Sequence, residues 1–349
     1  MKKNIAIVGY GGMGGWHADH ARNSDVLNLV GVYDIKPERN ELARSRGIHA
    51  YDSFEELLAD PNVEIVTIAT PNEVHCPIAV AALDAGKHVV SEKPVTLSSA
   101  LLDKMIDAAN RNNRIFTVHQ NRRWDNEILA VKELKEKDEL GEIFNVESRV
   151  HGSRGIPGDW RAKKEHGGGM LLDWGVHLID QALFAFPDDP VVAVYARFDN
   201  ITNKEVDDGC RVVMKFESGL NYYVEVGTSN FISLPRFYIQ GINGTALIED
   251  WGKPIKIVSC NQWAESDVTP IKAASGITKT MAPRDEKTIT TYERPLPPSD
   301  VHDFYRNLCK AIDGVEPQLI THDQMRRVMK IMEACFESDR TGEVVRTNI

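Results

Sequence analysis

Ile5-Ala6-Ile7-Val8-Gly9-Tyr10-Gly11-Gly12-Met13-Gly14 runs a short apolar stretch directly into the spacing G-x-G-x-x-G, and an amphipathic segment follows from about Gly14. Four apolar residues stopped by glycine read as a strand buried on both faces, and the longer period behind them reads as a helix. Each glycine has its own steric duty at such a junction. Gly9 permits the tight turn, Gly11 lets a ligand come close to the backbone, and Gly14 lets helix and strand pack closely. Gly12 and Met13 lie between them, where the N–H groups of the first helical turn point outward with a partial positive charge.

Outward from this junction, apolar runs at residues 5–8, 27–33, 65–69, 88–91 and 115–119 alternate with amphipathic stretches from about Gly14 and at 36–47, 78–86 and 98–112. Strand and helix in strict alternation predict a Rossmann-type, doubly wound parallel sheet with helices on both faces. The second strand ends at Asp34, 34 − 14 = 20 residues beyond Gly14. A carboxylate there accepts hydrogen bonds from an adenosine ribose, so the glycine loop is read as cradling the pyrophosphate of a dinucleotide. Asp34 repels a 2′-phosphate and favours NAD over NADP; nearby Lys36 and Arg39 soften that preference.

After Asn121 the pattern changes. A helix is expected at 127–138, a strand at 143–150, and a second helix from Met170 to about Phe184 behind three glycines. Period-2 runs follow at 191–198, 210–216, 221–227, 236–240 and 245–249, with Ser218-Gly219 and Asn243-Gly244 as hairpin turns. Residues 264–298 are polar and broken by prolines, which predicts a long connection with one strand near 288–292. Ser299 and Thr321 are read as N-caps of closing helices through Ile312 and over 323–338. The expected architecture is α/β: a dinucleotide-binding domain over 1–121, then an α+β domain over 122–349 with a large, mostly antiparallel sheet and C-terminal helices within 299–338.

Composition bounds the function. A chain of 349 residues suits two domains, and 42% hydrophobic with 26% charged residues is ordinary globular usage. A net charge of −10 argues against nucleic acid and against anionic membranes. Five scattered cysteines without a C-x-x-C pair suit a reduced compartment without disulfides or structural zinc. Neither a signal peptide nor a membrane-length apolar run is seen, so a cytoplasmic protein is expected.

Two further segments fall at the ends of parallel strands, where ligands bind in open α/β sheets: Thr70-Pro71-Asn72 with His75 shortly after, and Glu92-Lys93-Pro94. Together with Gly9, Gly11 and Gly14 they resemble the glucose-fructose oxidoreductase/inositol dehydrogenase family (Gfo/Idh/MocA), specifically over the first 125 residues and in general organisation beyond. The resemblance implies an oxidoreductase in which Lys93 stands beside the nicotinamide and the substrate hydroxyl. An ammonium there stabilises developing alkoxide charge, whatever the ancestry.

Asp173, His177 and Asp180 stand at i, i+4 and i+7 of the second-domain helix, beside the apolar stripe Leu172, Val176, Ile179 and Leu183. D-x-G-x-H-x-x-D is also the family's second signature. It implies His177 as general base, with Asp173 binding substrate or orienting the histidine and Asp180 contacting substrate. A metal site is disfavoured, since no H-x-x-x-H or nearby cysteine completes a shell. Arg123, Trp160 and Arg161 are candidates to close over the cofactor, with an interdomain salt bridge as the rival role for the first. His75 and His151 are candidates for the sugar pocket.

The resulting expectation is hydride transfer between NAD and a secondary hydroxyl of a sugar, glycoside or cyclic polyol. The rivals are an NAD-retaining glycosidase or lyase working through transient C3 oxidation, and a non-catalytic dinucleotide sensor. A homodimer or homotetramer through the second sheet is expected.

Overall fold

In the computed structural model of the chain, which describes residues 1–260, 271–273, 275, 277–279, 284 and 286–349, the opening apolar run is an interior strand of a parallel sheet. The strands β1 (Lys3–Val8), β2 (Leu27–Tyr33), β3 (Ile65–Ile68), β4 (His88–Ser91) and β5 (Phe116–Val118) lie in the order β2-β1-β3-β4-β5, and every neighbouring pair is parallel. Ile5, Ala6, Ile7, Ile65, Val66 and Ile68 are fully buried, which explains why these strands read as continuous apolar runs. Around the sheet are α1 (Gly12–Arg22), α2 (Pro37–Ser45), α3 (Phe54–Ala59), α4 (His75–Asp84) and α5 (Ser99–Arg111). The six-residue α3, capped by the Ser53 side chain on the Glu56 N–H, is too short to show a period in the sequence.

The chain order reverses between β1 and β3, which opens a crevice at their carboxyl ends. Gly9 closes β1 there, and Thr70-Pro71-Asn72 follows β3 at the same edge.

Beyond α6 (Asn126–Glu136) come β6 (Ile143–His151), α7 (Val176–Ala185), β7 (Val191–Asp199), β8 (Gly209–Phe216), β9 (Asn221–Gly227), β10 (Phe237–Gly241), β11 (Gly244–Ile248) and β12 (Ile255–Cys260). A short β13 (Ile271–Ala273) and β14 (Ile277–Lys279) form a separate pair, followed by β15 (Ile289–Arg294), α8 (Asp303–Ile312), α9 (His322–Thr341) and β16 (Val345–Arg346). Nine strands form one sheet, β15-β12-β11-β10-β6-β9-β8-β7-β16, antiparallel except for the β6–β9 pair. Cys210, Val212, Met214 and Phe216 of β8 are fully buried while Arg211 and Lys215 between them are exposed, so the predicted alternation separates a core face from an open one. The helices α7 and α9 belong to the same buried cluster as that core face.

Two expectations need correcting. Ser299 does not cap a helix: α8 starts at Asp303, with His302 in the capping position and its Nε2 drawn 2.6 Å from Ser24 Oγ of the first domain. The chain docks before it coils. The connection over 264–298 holds not one strand but the short pair β13 and β14 as well as β15, which the sequence places near 288–292, and β12 just before it is an additional strand in which Ile255-Lys256-Ile257 alternates. Residues 264–270 and 281–283 of that connection lie outside the described residues. Thr321 does cap α9, with a reciprocal capping box to Gln324.

Candidate active site

Steric constraint shapes the glycine loop. Gly9 has φ +91°, and a Cβ there would sit 2.7 Å from the Ala69 carbonyl oxygen; one on Gly14 would sit 1.8 Å from the Gly9 oxygen. Above Gly11 and Gly12, by contrast, nothing lies within 4 Å of where a Cβ would stand. The Asp34 carboxylate accepts the Tyr10 N–H through Oδ2 (2.7 Å) and the Lys36 N–H through Oδ1 (2.9 Å), which fastens the end of β2 to the loop. Across the crevice Thr70 Oγ1 is buried without a hydrogen-bond partner. Open space over two glycines, an unpartnered hydroxyl and an acid at the strand end fit a dinucleotide lying over the sheet edge.

Asn72 is buried and donates to the Gly167 carbonyl at 2.8 Å, so the end of β3 touches the triple-glycine run of the second domain. That run is needed for close approach: a Cβ on Gly168 would lie 2.2 Å from the Arg161 oxygen, and one on Gly169 2.1 Å from Asp207 Oδ1. No motif in the sequence singles out Asp207. It accepts the Leu171 N–H at 2.7 Å through Oδ2, while its carbonyl accepts the Met170 N–H at 3.0 Å, and burial pushes its carboxyl up to about 6. It pins the start of the helical segment that carries the site. The segment opens with a π turn, Leu171–Gly175, before becoming the regular α7.

Lys93 and Asp173 meet across the domains. Lys93 Nζ donates to both Asp173 Oδ1 and the Asp173 carbonyl oxygen at 2.8 Å, and Arg161 Nε lies 3.0 Å from Asp173 Oδ2. Burial alone would push the Asp173 carboxyl up, but the Lys93 and Arg161 charges hold it below the usual range. Trp160 lies under the Arg161 guanidinium at 4.6 Å. His177 is 5% exposed, and burial, reinforced by the Lys93 and Arg122 charges, holds its imidazole well below the ordinary value. Its Nδ1 has no hydrogen-bond partner.

Next to these groups is a cavity of about 510 Å³, lined by Asp173 and His151, by Arg122 and Trp174, neighbours of the candidates Arg123 and Asp173, and by Trp251, which no sequence motif places there. The Arg122 guanidinium lies 4.2 Å from the Trp174 ring centroid and 5.3 Å from that of Trp251.

Residues 3–120 match the family model described as an oxidoreductase family with an NAD-binding Rossmann fold, and residues 128–247 match the GFO/IDH/MocA C-terminal domain. The chain belongs to the Gfo/Idh/MocA oxidoreductase family. The crystal structure of an NAD-binding protein from Listeria innocua is similar over 99% of both chains, with 46% identity and a TM-score of 0.95. An uncharacterized oxidoreductase of Schizosaccharomyces pombe, C115.03, is 36% identical over 86% of this chain and 85% of its own. The scyllo-inositol 2-dehydrogenase (NADP(+)) IolW of Bacillus subtilis is 26% identical over 98% of this chain and 95% of its own. Among the described residues no helix is long and apolar enough to cross a membrane.

Within this Gfo/Idh/MocA chain several roles expected from the sequence change. Arg123 and Asp180 are paired with each other in the interior. Arg123 Nε and Nη2 hold the Asp180 carboxylate at 2.9 and 2.6 Å, with both residues at most 5% exposed, and Arg123 Nη1 reaches Gln324 of α9. Helical spacing puts Asp180 on the face of His177, but this buried partner claims both its oxygens. His75 is fully buried, its ring nitrogens 3.0 Å from the Thr70 and Pro94 carbonyls, so it braces the two loops instead of lining a pocket. Asp173 does not orient His177, since its two carboxylate oxygens are committed to Lys93 and Arg161.

Glu92 also turns inward. Its Oε1 accepts from His17 Nε2 (2.8 Å) and His119 Nδ1 (2.9 Å), and its Oε2 accepts the Lys93 N–H at 3.1 Å. Burial would raise its carboxyl, but His119 and His17 hold it well below the usual range. Tyr305 of α8 hydrogen-bonds His17 Nδ1. Among the described residues, His17, Glu92 and His119 are the group whose ligand atoms lie close enough for a metal ion, but those atoms are already joined by hydrogen bonds. Neither histidine stands out in the sequence, because each lies far along the chain from the carboxylate that gives it meaning.

Proposed function

We propose that this oxidoreductase transfers a hydride between NAD and the carbinol carbon of a secondary hydroxyl on a sugar, glycoside or cyclic polyol. The observation that carries the reading is the junction of Lys93, Asp173 and Arg161 near His177, with Asp173 also lining the adjoining cavity. NAD, when bound, supplies a nicotinamide that accepts or returns the hydride. Gly11, Gly12 and Thr70 would hold its phosphates and ribose, and Asp34 would favour it over NADP by repelling a 2′-phosphate.

The chain's own residues do the rest. His177, neutral because its pKa is depressed, takes the hydroxyl proton at its imidazole as the carbon–hydrogen bond breaks. Lys93, steered by the Asp173 carbonyl and carboxylate, donates to the oxygen where negative charge develops. Asp173, with its charge balanced by Lys93 and Arg161, holds those two cations in place without presenting a net anion to the forming alkoxide. The product is a ketone, and the same groups serve the reverse reduction. The kinship with a scyllo-inositol 2-dehydrogenase supports a polyol or sugar substrate. The open face of the nine-stranded sheet is proposed as the contact of a homodimer or homotetramer.

Steady-state absorbance of the reduced cofactor, with NAD and NADP in parallel against inositols, aldoses and glycosides, tests the reading. Turnover with NAD by the native protein, lost in Lys93→Gln, is expected. No reduction of either cofactor by any member of the panel would overturn it.

A further inference from the structure

The cavity beside the site is divided by polarity. None of the glycine-loop residues lines it, so its 510 Å³ lies on the substrate side, within the roughly 300–1,000 Å³ that accommodates ligands larger than one small ring. Part of its polar lining is already engaged. Both Asp173 oxygens are engaged by Lys93 and Arg161, Thr228 Oγ1 donates to the Asp208 carbonyl (2.6 Å), and His151 Nδ1 accepts the Leu234 N–H (3.2 Å). The Arg122 guanidinium, bonded through Nη1 to Asp125 (3.0 Å), lies over the Trp174 and Trp251 rings, and the other large side chains of the wall are apolar: Val150, Pro157, Met170, Trp174, Val226 and Trp251. A ring bearing a hydroxyl on every carbon would bury several of them unpaired against that wall, which opposes binding.

A second, independent feature adjoins the cavity. Thr228 opens the loop from β9 to β10, and within that loop Phe231, Ile232 and Leu234 are 90%, 84% and 52% exposed. The loop is tied to cavity-lining residues: the Asn230 N–H donates to the Gly152 carbonyl (2.8 Å) and the Leu234 N–H to His151. Three neighbouring large apolar side chains left in solvent beside a largely apolar cavity mark an interaction surface.

We propose that the substrate is a glycoside with an apolar, aryl or alkyl aglycone. Its sugar ring meets Lys93, Asp173 and His177, and its aglycone lies along Met170 and Trp251 toward the adjoining loop that carries Phe231. The sugar-ring half rests on the hydride-transfer reading above. The aglycone half rests on the walls alone.

The test uses the full chain with NAD and pairs of methyl and phenyl glycosides, both anomers, of several pyranoses, with myo-inositol as the fully polar control. Dissociation constants come from calorimetry or saturation-transfer NMR, and reduced cofactor is followed in the same mixtures. For at least one pyranose the phenyl glycoside binds about tenfold or more tighter than the methyl, as burying an aromatic ring warrants. Trp251→Ala and Phe231→Ser shrink that ratio, and Trp251→Leu, which keeps an apolar wall, retains part of it. Equal binding of every pair, or binding of myo-inositol alone, overturns the proposal while leaving the dehydrogenase reading intact. A phenyl preference without cofactor reduction by any compound supports the proposal and sinks that reading. If Phe231→Ser splits an oligomer and the phenyl preference persists in all three variants, the apolar mouth is a contact between copies and the proposal fails.

Discussion

Lys93 Nζ is 2.8 Å from both the carboxylate Oδ1 and the carbonyl oxygen of Asp173, a residue 80 positions away in the chain and in the other domain. Two acceptors on one residue set the direction of the ammonium more closely than one could, and they couple the lysine's position to the π turn that carries Asp173. Replacing Lys93 with Gln removes the charge while keeping most of the volume. The expected loss in kcat is about 10²–10³, the range for losing one donor to a developing oxyanion. Asp173→Asn, which leaves the carbonyl acceptor in place, loses less. Stopped-flow hydride transfer on folded variants checks the order, and near-wild-type chemistry in Lys93→Gln would sink the role.

In the proposed reaction the acid limb of the pH profile is expected to come from His177. Its imidazole is held well below 6.5 by burial and by the Lys93 and Arg122 charges, so it stays a neutral acceptor at pH values where an ordinary histidine is already protonated. Activity, in kcat/KM, is expected to remain level as pH falls through 6.5 and to decline only below it. His177→Asn is expected to lower kcat/KM by about 10²–10⁴. An acid limb at the ordinary histidine value that disappears in His177→Asn would contradict the depressed pKa.

The Arg123–Asp180 pair serves stability. Arg123→Ala leaves the Asp180 carboxylate buried and uncompensated, and losing one partner of such a pair costs about 3–5 kcal/mol. Urea unfolding measures this loss, and Arg123→Ala with Asp180→Ala together should cost less than the first change alone. The NAD affinity of the folded fraction is expected to change little, whereas a direct cofactor contact would show as a large loss of NAD binding.

Asp207 makes stability depend on pH in the less common sense for a carboxylate. Its native pKa of about 6 lies above the usual value of 3.8. The folded state therefore binds more protons than the unfolded state between those two values. The stability Asp207 contributes is full below about pH 4 and is lost as pH rises through 6, by up to roughly 3 kcal/mol. Asp207→Asn, which still offers an oxygen to the Leu171 N–H, should lack that decline. The difference in unfolding free energy between the two proteins at pH 4.5 and pH 7 is the measurement, and parallel pH profiles would refute the assignment.

Much of the fold is legible because its signals are local. A buried parallel strand must be apolar throughout, a half-open strand must alternate, and a chain turning within a few ångströms of another carbonyl must use glycine, as at Gly9 and Gly14. The same locality explains where sequence and structure part. Asp180 has the right helical spacing from His177, yet spacing says nothing about an arginine 57 residues earlier that takes both its oxygens. Ser299 has the right identity for a cap, but the pull of Ser24 on His302 delays the helix. His17, His119 and Tyr305 gather around Glu92 from three distant segments, and no spacing joins them.

The sequence by itself determined the plan of a parallel sheet followed by a mostly antiparallel one, the glycine-loop junction of strand and helix, and the candidacy of Lys93, Asp173 and His177, because backbone geometry and side-chain period act over a few residues. Only the tertiary structure decided which acid meets which base: Asp173 with Lys93 and Arg161, Asp180 with Arg123, and Glu92 with His17 and His119. Charges buried in a low-dielectric interior must find partners in space. The partner that wins is set by which distant segments the fold brings together, over separations of 12 to 80 residues for these pairs.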